Sequence, residues 1–358
     1  MNILNPDIKK IGKESLFLHA GGHTPRIGEG SFIRLRDQSI MFAYISFVGK
    51  DWHDHCPADI AAVVSRDDGE TWSEPRILLR HDEKSRNLMC PSLLRLKNGN
   101  IGMILGRKEG DSGIPHFSVS KDEGLTFSKP RPCMSLQGYY VQENDHAIML
   151  KSGRILVPLN RHDAIDGTFS YYGKMLMLAS DDDGETWNII SEEVSSPFPP
   201  QVTATGLQET AVYQKPDGSI RGISRTDLGC QWECYSEDDG VTWSAPTPNR
   251  FFSSPDAPLL MKDVGPFTVA VFCPMPRFTT RYEKRTWGRT PIIVAVSDDK
   301  GKNFNRIFYL ENDLSNGYAY PGIFDGGDYM LISYYHSDNL DAVLRSTKIL
   351  KIEYSEIM

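Results

Sequence analysis

Short apolar runs separated by polar turn residues recur along the chain, and none approaches transmembrane length. Ile60-Ala61-Ala62-Val63-Val64, Met175-Leu176-Met177-Leu178-Ala179 and Ile292-Ile293-Val294-Ala295-Val296 read as strands. Pairs of such runs flank tight turns. Phe32-Ile33-Arg34-Leu35 and Ile40-Met41-Phe42-Ala43-Tyr44 meet at Asp37-Gln38-Ser39. The same figure returns at 92–104 around Asn98-Gly99 and at 147–158 around Ser152-Gly153. It appears again at 211–224 around Asp217-Gly218 and at 323–334 around Gly326-Gly327. Asn-Gly and Asp-Gly favour hairpins because their tight turns need positive φ. No long helical pattern interrupts this rhythm.

An eight-residue phrase follows the apolar runs. It reads Ser65-Arg66-Asp67-Asp68-Gly69-Glu70-Thr71-Trp72 and recurs from Ser120, Ser180, Ser236 and Ser297, at intervals of 55 to 61 residues. The pattern is S-x-D-x-G-x-T-[WF], with Asn303 replacing Thr in the last copy. The Asp carboxylate can accept backbone N–H groups further on, the Gly supplies positive φ, and the aromatic ring buries against a neighbouring unit. A fixed phrase at a near-fixed period predicts repeated supersecondary units, each reading strand, turn, strand, loop, strand, phrase, strand.

Composition narrows the function classes. The 358 residues suffice for a large core, and a net charge of -8 argues against nucleic acid or an anionic membrane as general partners. It leaves room for a local cationic pocket. The six cysteines show no paired metal spacing, Cys230 and Cys234 having no second pair, so buried free thiols are expected. Residues 1–20 lack an apolar core of signal-peptide length, which predicts a cytoplasmic protein, or a secreted or periplasmic one if a leader has been removed.

The repeated phrase is that of the Asp-box, and through it the chain resembles the sialidase (neuraminidase) superfamily of β-propellers. The resemblance implies an all-β, six-bladed β-propeller spanning 1–358 as a single domain, with five Asp-box hairpins. Its blades would be roughly 35–95, 96–150, 151–207, 208–262, 263–315 and 316–358, with the N-terminal segment helping to close the ring. In that family the Asp-boxes are structural, so Asp67, Asp122, Asp182, Asp238 and Asp299 are expected to hold turns and bind no metal.

The resemblance also implies site residues. Arg26, in Thr24-Pro25-Arg26-Ile27-Gly28-Glu29-Gly30, matches the Arg of the family's Arg-Ile-Pro motif, which grips the substrate carboxylate. Glu29 and the missing Pro are departures, and a surface Arg26–Glu29 pair is the bland alternative. Glu209 precedes a predicted hairpin and Arg225 ends it, at the family's spacing. A hairpin returns the chain to the end it left, so both side chains reach one mouth, in a site or as a rim ion pair. Arg289 fits the third family arginine, with Arg281 and Arg285 competing. Tyr320, in Gly317-Tyr318-Ala319-Tyr320-Pro321-Gly322, stands where the family has its nucleophile, with Tyr318 as the fallback. Asp51 and Asp54 both fit the acid/base loop, where His53-Asp54-His55 offers a metal reading instead. Asn144-Asp145-His146, Arg107 and Arg161-His162-Asp163 are expected to face the mouth and shape the substrate.

Three arginines suit a carboxylate-bearing sugar, and a neutral phenol suits it as nucleophile better than a second carboxylate, with Glu209 taking the proton. The expected function is therefore a retaining exo-glycosidase of sialidase type, acting on a glycan or oligosaccharide and needing no cofactor and no metal. The rivals are a propeller glycosidase or lyase acting on another acidic sugar such as a uronate, and a carbohydrate-binding propeller without turnover. The oligomeric state is left open.

Overall fold

The computed structural model describes residues 4–136, 138–165, 168–275, 286–338 and 342–358. Its fold is all-β, with a single short 3-10 turn at Tyr354–Glu356 among the described residues. Four sheets have four strands each, and a fifth has nine. The first comprises Ile27–Arg34, Ile40–Phe47, Ala58–Ser65 and Arg76–Leu79 in chain order. The nine-stranded sheet holds two such units, beginning at Asn87–Arg95 and at Ile148–Met149. They are joined because Tyr139–Val141 pairs with Ser112–Ser120 on one side and Ile155–Ile165 on the other. Further units begin at Gln208–Gln214, Leu260–Val264 and Tyr318–Asp325. The inner hairpins thus open each unit, whereas sequence-based boundaries at 35 and 96 cut through them.

The last unit borrows its outer strand from the N-terminus. Lys13–Leu18 pairs antiparallel with Ser346–Glu353. The apolar core lies between consecutive units. Met41 and Ile60 pack with Leu93 and Met103, and Phe117 and Ile104 with Leu159 and Leu178. The same holds between last and first, where Phe324, Leu331 and Ile349 meet Phe32, Phe42 and Val63.

The octapeptides fold as five copies of one turn. Asp67 Oδ1 accepts from Thr71 N at 2.8 Å and its Oδ2 from Thr71 Oγ1 at 2.5 Å, while Ser65 Oγ accepts from Gly69 N at 2.8 Å. Equivalent bonds form at Asp122, Asp182, Asp238 and Asp299. Positive φ falls on the glycine and also on the residue before it, as in Asp68 at 55° and Gly69 at 83°. That preceding residue ties the turn to the neighbouring unit: Asp183 accepts from the backbone N–H groups of Lys97 and Asn98.

Candidate active site

Four inner strands share one irregularity. Their register slips between Gly28 and Ser31, Met89 and Ser92, Gln208 and Ala211, and Ala319 and Gly322. Within each slip one residue takes a left-handed conformation: Glu29 at φ 49°, Cys90 at 54°, Glu209 at 45° and Tyr320 at 56°. Such bulges re-aim a side chain, and non-glycine residues hold this conformation where structure around them enforces it. All four line one cavity of about 570 Å³. The shared signal is a small residue two places on: Ser31, Ser92, Ala211 and Gly322. Sequence reasoning missed Cys90, which this rule would have found.

On one side of the cavity the Tyr320 hydroxyl donates to Glu209 Oε1 at 2.8 Å. Arg225 Nη1 pairs with the same carboxylate and lies 3.3 Å from the phenol oxygen. Arg225 Nε donates to Asp256 Oδ1 at 2.5 Å, and Arg289 Nε donates to the Asp256 carbonyl at 2.9 Å. The Arg289 guanidinium lies 5.5 Å from the centre of the Tyr320 ring, and its Nη1 is buried without a hydrogen-bond partner among the described residues. Burial, and then the Glu209 charge, push the Tyr320 phenol well above its ordinary pKa, with Arg225 and Arg289 opposing. The resting nucleophile candidate is a neutral phenol with its proton aimed at a carboxylate. Tyr318 points elsewhere: it is fully buried and its hydroxyl donates to the Asp313 carbonyl.

Arg26 is also in the wall, but already paired. Its Nη2 binds Glu29, Nη1 binds Asp54 at 2.5 Å, and Nε donates to the Tyr335 hydroxyl at 2.8 Å. The pair is therefore real yet buried, not a surface pair. Gly28 makes room for it, since a Cβ there would lie 1.9 Å from the Tyr335 ring. Tyr335 in turn sets its ring edge-on to Tyr320, 5.9 Å away. The three arginines thus meet one cavity, each compensated differently. Arg26 has two carboxylates, Arg225 has two, and Arg289 keeps one N–H edge unused. The protein's own carboxylates thus compensate Arg26 and Arg225 without a bound anion.

Of the two acid candidates, Asp54 lines the cavity, while Asp51 is exposed and outside its wall. The Asp54 side chain is 56% exposed at the mouth. Leaving bulk water raises its carboxyl, but Arg26 and Lys108 outweigh that and hold it well below the usual carboxylate range. Asp145 and His146 are buried and lie outside the cavity lining. Asp145 accepts from Ser31 Oγ and Ile323 N, and pairs with Lys262, so it ties units together at the axis. Burial lowers His146 to about 3, which keeps it neutral. Asn144 likewise bridges the carbonyls of Gly30 and Pro321. Arg107 pairs with Asp82 and Glu109, and Arg161 with Asp163 and Glu193, leaving His162 as the wall residue of its trio. Arg281 and Arg285 lie outside the described residues.

Further lining residues were not anticipated. Glu143 is buried, with Oε2 unpartnered among the described residues. Burial, then the charges of Glu209 and Glu29, push its carboxyl well above the ordinary range. At the mouth, Trp52 and Trp287 stand 6.1 Å apart, and Phe169 packs edge-on to Tyr139 at 4.9 Å. Aromatic faces of this kind suit the apolar faces of sugar rings.

Comparison with known proteins places this geometry in context. A family model described as a BNR repeat-like domain matches residues 39–333. Among curated proteins, an anhydrosialidase of Macrobdella decora is 31% identical over 103 residues, which is 29% of this chain and 12% of that protein. Among solved structures, a protein of unknown function from Dyadobacter fermentans superposes with a TM-score of 0.74 at 19% identity, covering 98% of this chain and 100% of that one. A leech intramolecular trans-sialidase complexed with 2,7-anhydro-Neu5Ac gives 0.73 at 15% identity over 96% of this chain and 70% of that one. The Hadza microbial sialidase Hz136 gives 0.75 at 16% identity, covering 97% and 69%. At these identities the likeness to solved structures is one of fold, the all-β propeller of sialidases.

Proposed function

The chain belongs to the BNR repeat-like domain family within the sialidase superfamily, and on that premise we propose that it is a retaining exo-glycosidase of sialidase type. In this reading it is a single six-bladed propeller that removes a terminal acidic sugar from a glycan. The observation that carries the reading is the Tyr320–Glu209–Arg225 cluster, in which a phenol proton points at a carboxylate held by a guanidinium.

Tyr320 Oη attacks the anomeric carbon while its proton passes to Glu209 Oε1. The bond to the leaving oxygen breaks, that oxygen takes a proton, and a sugar–tyrosine ether remains. Water then attacks the same carbon and gives its proton to Asp54, the bond to Tyr320 Oη breaks, the phenol recovers its proton from Glu209, and anomeric configuration is retained. Arg289 offers its unused N–H edge to the sugar carboxylate. The acid is Asp54. A substrate carboxylate that competes for Arg26 loosens one of the two cations, Arg26 and Lys108, that keep Asp54 ionised, and adds a negative charge beside it, which moves its carboxyl towards protonation as substrate arrives.

Glu29 favours a second substrate class. Its carboxylate already occupies Arg26, where a sialic acid carboxylate would dock. A uronate anchored through Arg289 would leave that pair intact. A release assay on a fluorogenic sialoside and on a panel of uronate-containing oligosaccharides tests both. Release of the sialic acid supports the first reading, release of a uronate the second, and binding without release removes the enzyme reading.

A further inference from the structure

We propose that Glu29, Cys90 and Glu143 form an open, three-ligand site for a zinc-class divalent cation in the cavity wall. The cysteine sulfur and one carboxylate oxygen from each glutamate lie within 4.8 Å of one another. Cys90 Sγ is already 3.0 Å from Glu29 Oε2. Zinc bonds of about 2.3 Å to sulfur and about 2.0–2.2 Å to oxygen set ligands roughly 3.5 Å apart, so side-chain shifts of about an ångström complete the site.

Unpaired acceptors beside the cluster point the same way. Glu143 Oε2 and Gln142 Oε1 are buried and have no hydrogen-bond partner among the described residues. Both residues are more than nine-tenths buried, at 5% and 3% exposed. The orientation of the Gln142 amide is forced, because its nitrogen donates at 2.8 Å to the carbonyl of Cys90. The oxygen is therefore left over. Folded proteins rarely leave buried acceptors unpaired.

The donor set selects the cation. A thiolate with two carboxylates suits zinc or cobalt(II), whereas calcium takes six to eight oxygens and magnesium an oxygen octahedron. Three protein ligands facing a cavity leave the fourth position to water or substrate. Burial and the neighbouring carboxylates favour a protonated Cys90 thiol. Burial and the charges of Glu209 and Glu29 likewise favour a protonated Glu143. Coordination sends those two protons to solvent as a divalent ion enters, so the net charge beside Arg26 is unchanged. Arg26 is further compensated by Asp54. The site stands apart from the glycosidase reading, which assigns none of these three ligands a chemical step.

Cobalt(II) titration of the chelator-treated full chain tests the proposal. One equivalent should bind, with a thiolate-to-cobalt charge-transfer band in the near ultraviolet, displaced by zinc and not by calcium. Cys90→Ser should abolish the band, and Cys230→Ser should leave it. Glu143→Gln should weaken binding by at least about 100-fold, the upper end of what loss of an outer-shell partner costs. No stoichiometric binding to the wild-type chain overturns the proposal, whether or not Cys90→Ser folds. So does a band that survives Cys90→Ser, or affinity unchanged in Glu143→Gln.

Discussion

The phenol oxygen of Tyr320 stands 2.8 Å from Oε1 of Glu209, although 111 residues separate them in the chain. Both residues sit in left-handed bulges on different inner strands, so the contact exists only because two units meet at one cavity. Tyr320→Phe removes the nucleophilic oxygen and keeps the ring. Glu209→Gln keeps the size and removes the base. Each variant should fold with a near-wild-type Tm and lose on the order of 100-fold or more in kcat/KM on the true substrate. Near-normal turnover by either variant would remove that residue from the mechanism.

The three arginines should behave unequally. Arg289 alone among them keeps a buried N–H edge without a partner among the described residues. Arg289→Ala should weaken a carboxylate-bearing sugar by roughly 1.5–3 kcal/mol, one charge-assisted contact, and leave its methyl ester almost unaffected. Arg26→Ala should mainly destabilise, by about 3–5 kcal/mol, because Glu29 is left buried without its cation. Calorimetric binding of the acid and the ester, beside thermal melts, separates the two effects. Equal binding of acid and ester by the wild-type chain would contradict the role given to Arg289.

The octapeptide turns were readable in the sequence because each is local: the Asp, Gly and Thr that make it lie within five positions. The hairpins were readable for the same reason. The pairing Glu209–Arg225 needed only hairpin geometry. What escaped depends on other units. Cys90 and Glu143 look like an ordinary core thiol and a loop acid until the inner strands converge on one cavity. Asp145 was expected at the mouth, but it is bound by Ser31, Ile323 and Lys262, from three different units, and lies outside the cavity lining.

Asp182 should matter to stability and not to turnover. Asp182→Ala should lower stability by on the order of 1–3 kcal/mol, because the N–H and hydroxyl of Thr186 both lose their acceptor, with kcat and KM unchanged. A folded variant with a large loss of kcat would contradict this.

The same turns set an acid limit. Hydrogen bonds from Thr71, Thr126 and Thr186 hold Asp67, Asp122 and Asp182 down to about 2. The Asn303 N–H and side chain do the same for Asp299. The unfolded carboxyl titrates near about 3.9, so this stabilisation is complete above about pH 4 and is lost as pH falls towards about 2. Tm should drop across that window, and less steeply in Asp182→Ala. A flat Tm between those values would contradict the turn energetics.

The most direct test of the central claim is to trap the sugar on the chain. A fluorinated sialoside with a good leaving group slows the second step more than the first, so the glycosyl intermediate accumulates. Peptide mass spectrometry of the treated wild-type chain should find one sugar on Tyr320, and none should be found on Tyr320→Phe. If sialosides prove not to be substrates, the matching fluorinated uronide takes the same place. Label on another residue, or turnover of the substrate with inverted anomeric configuration, would contradict the account.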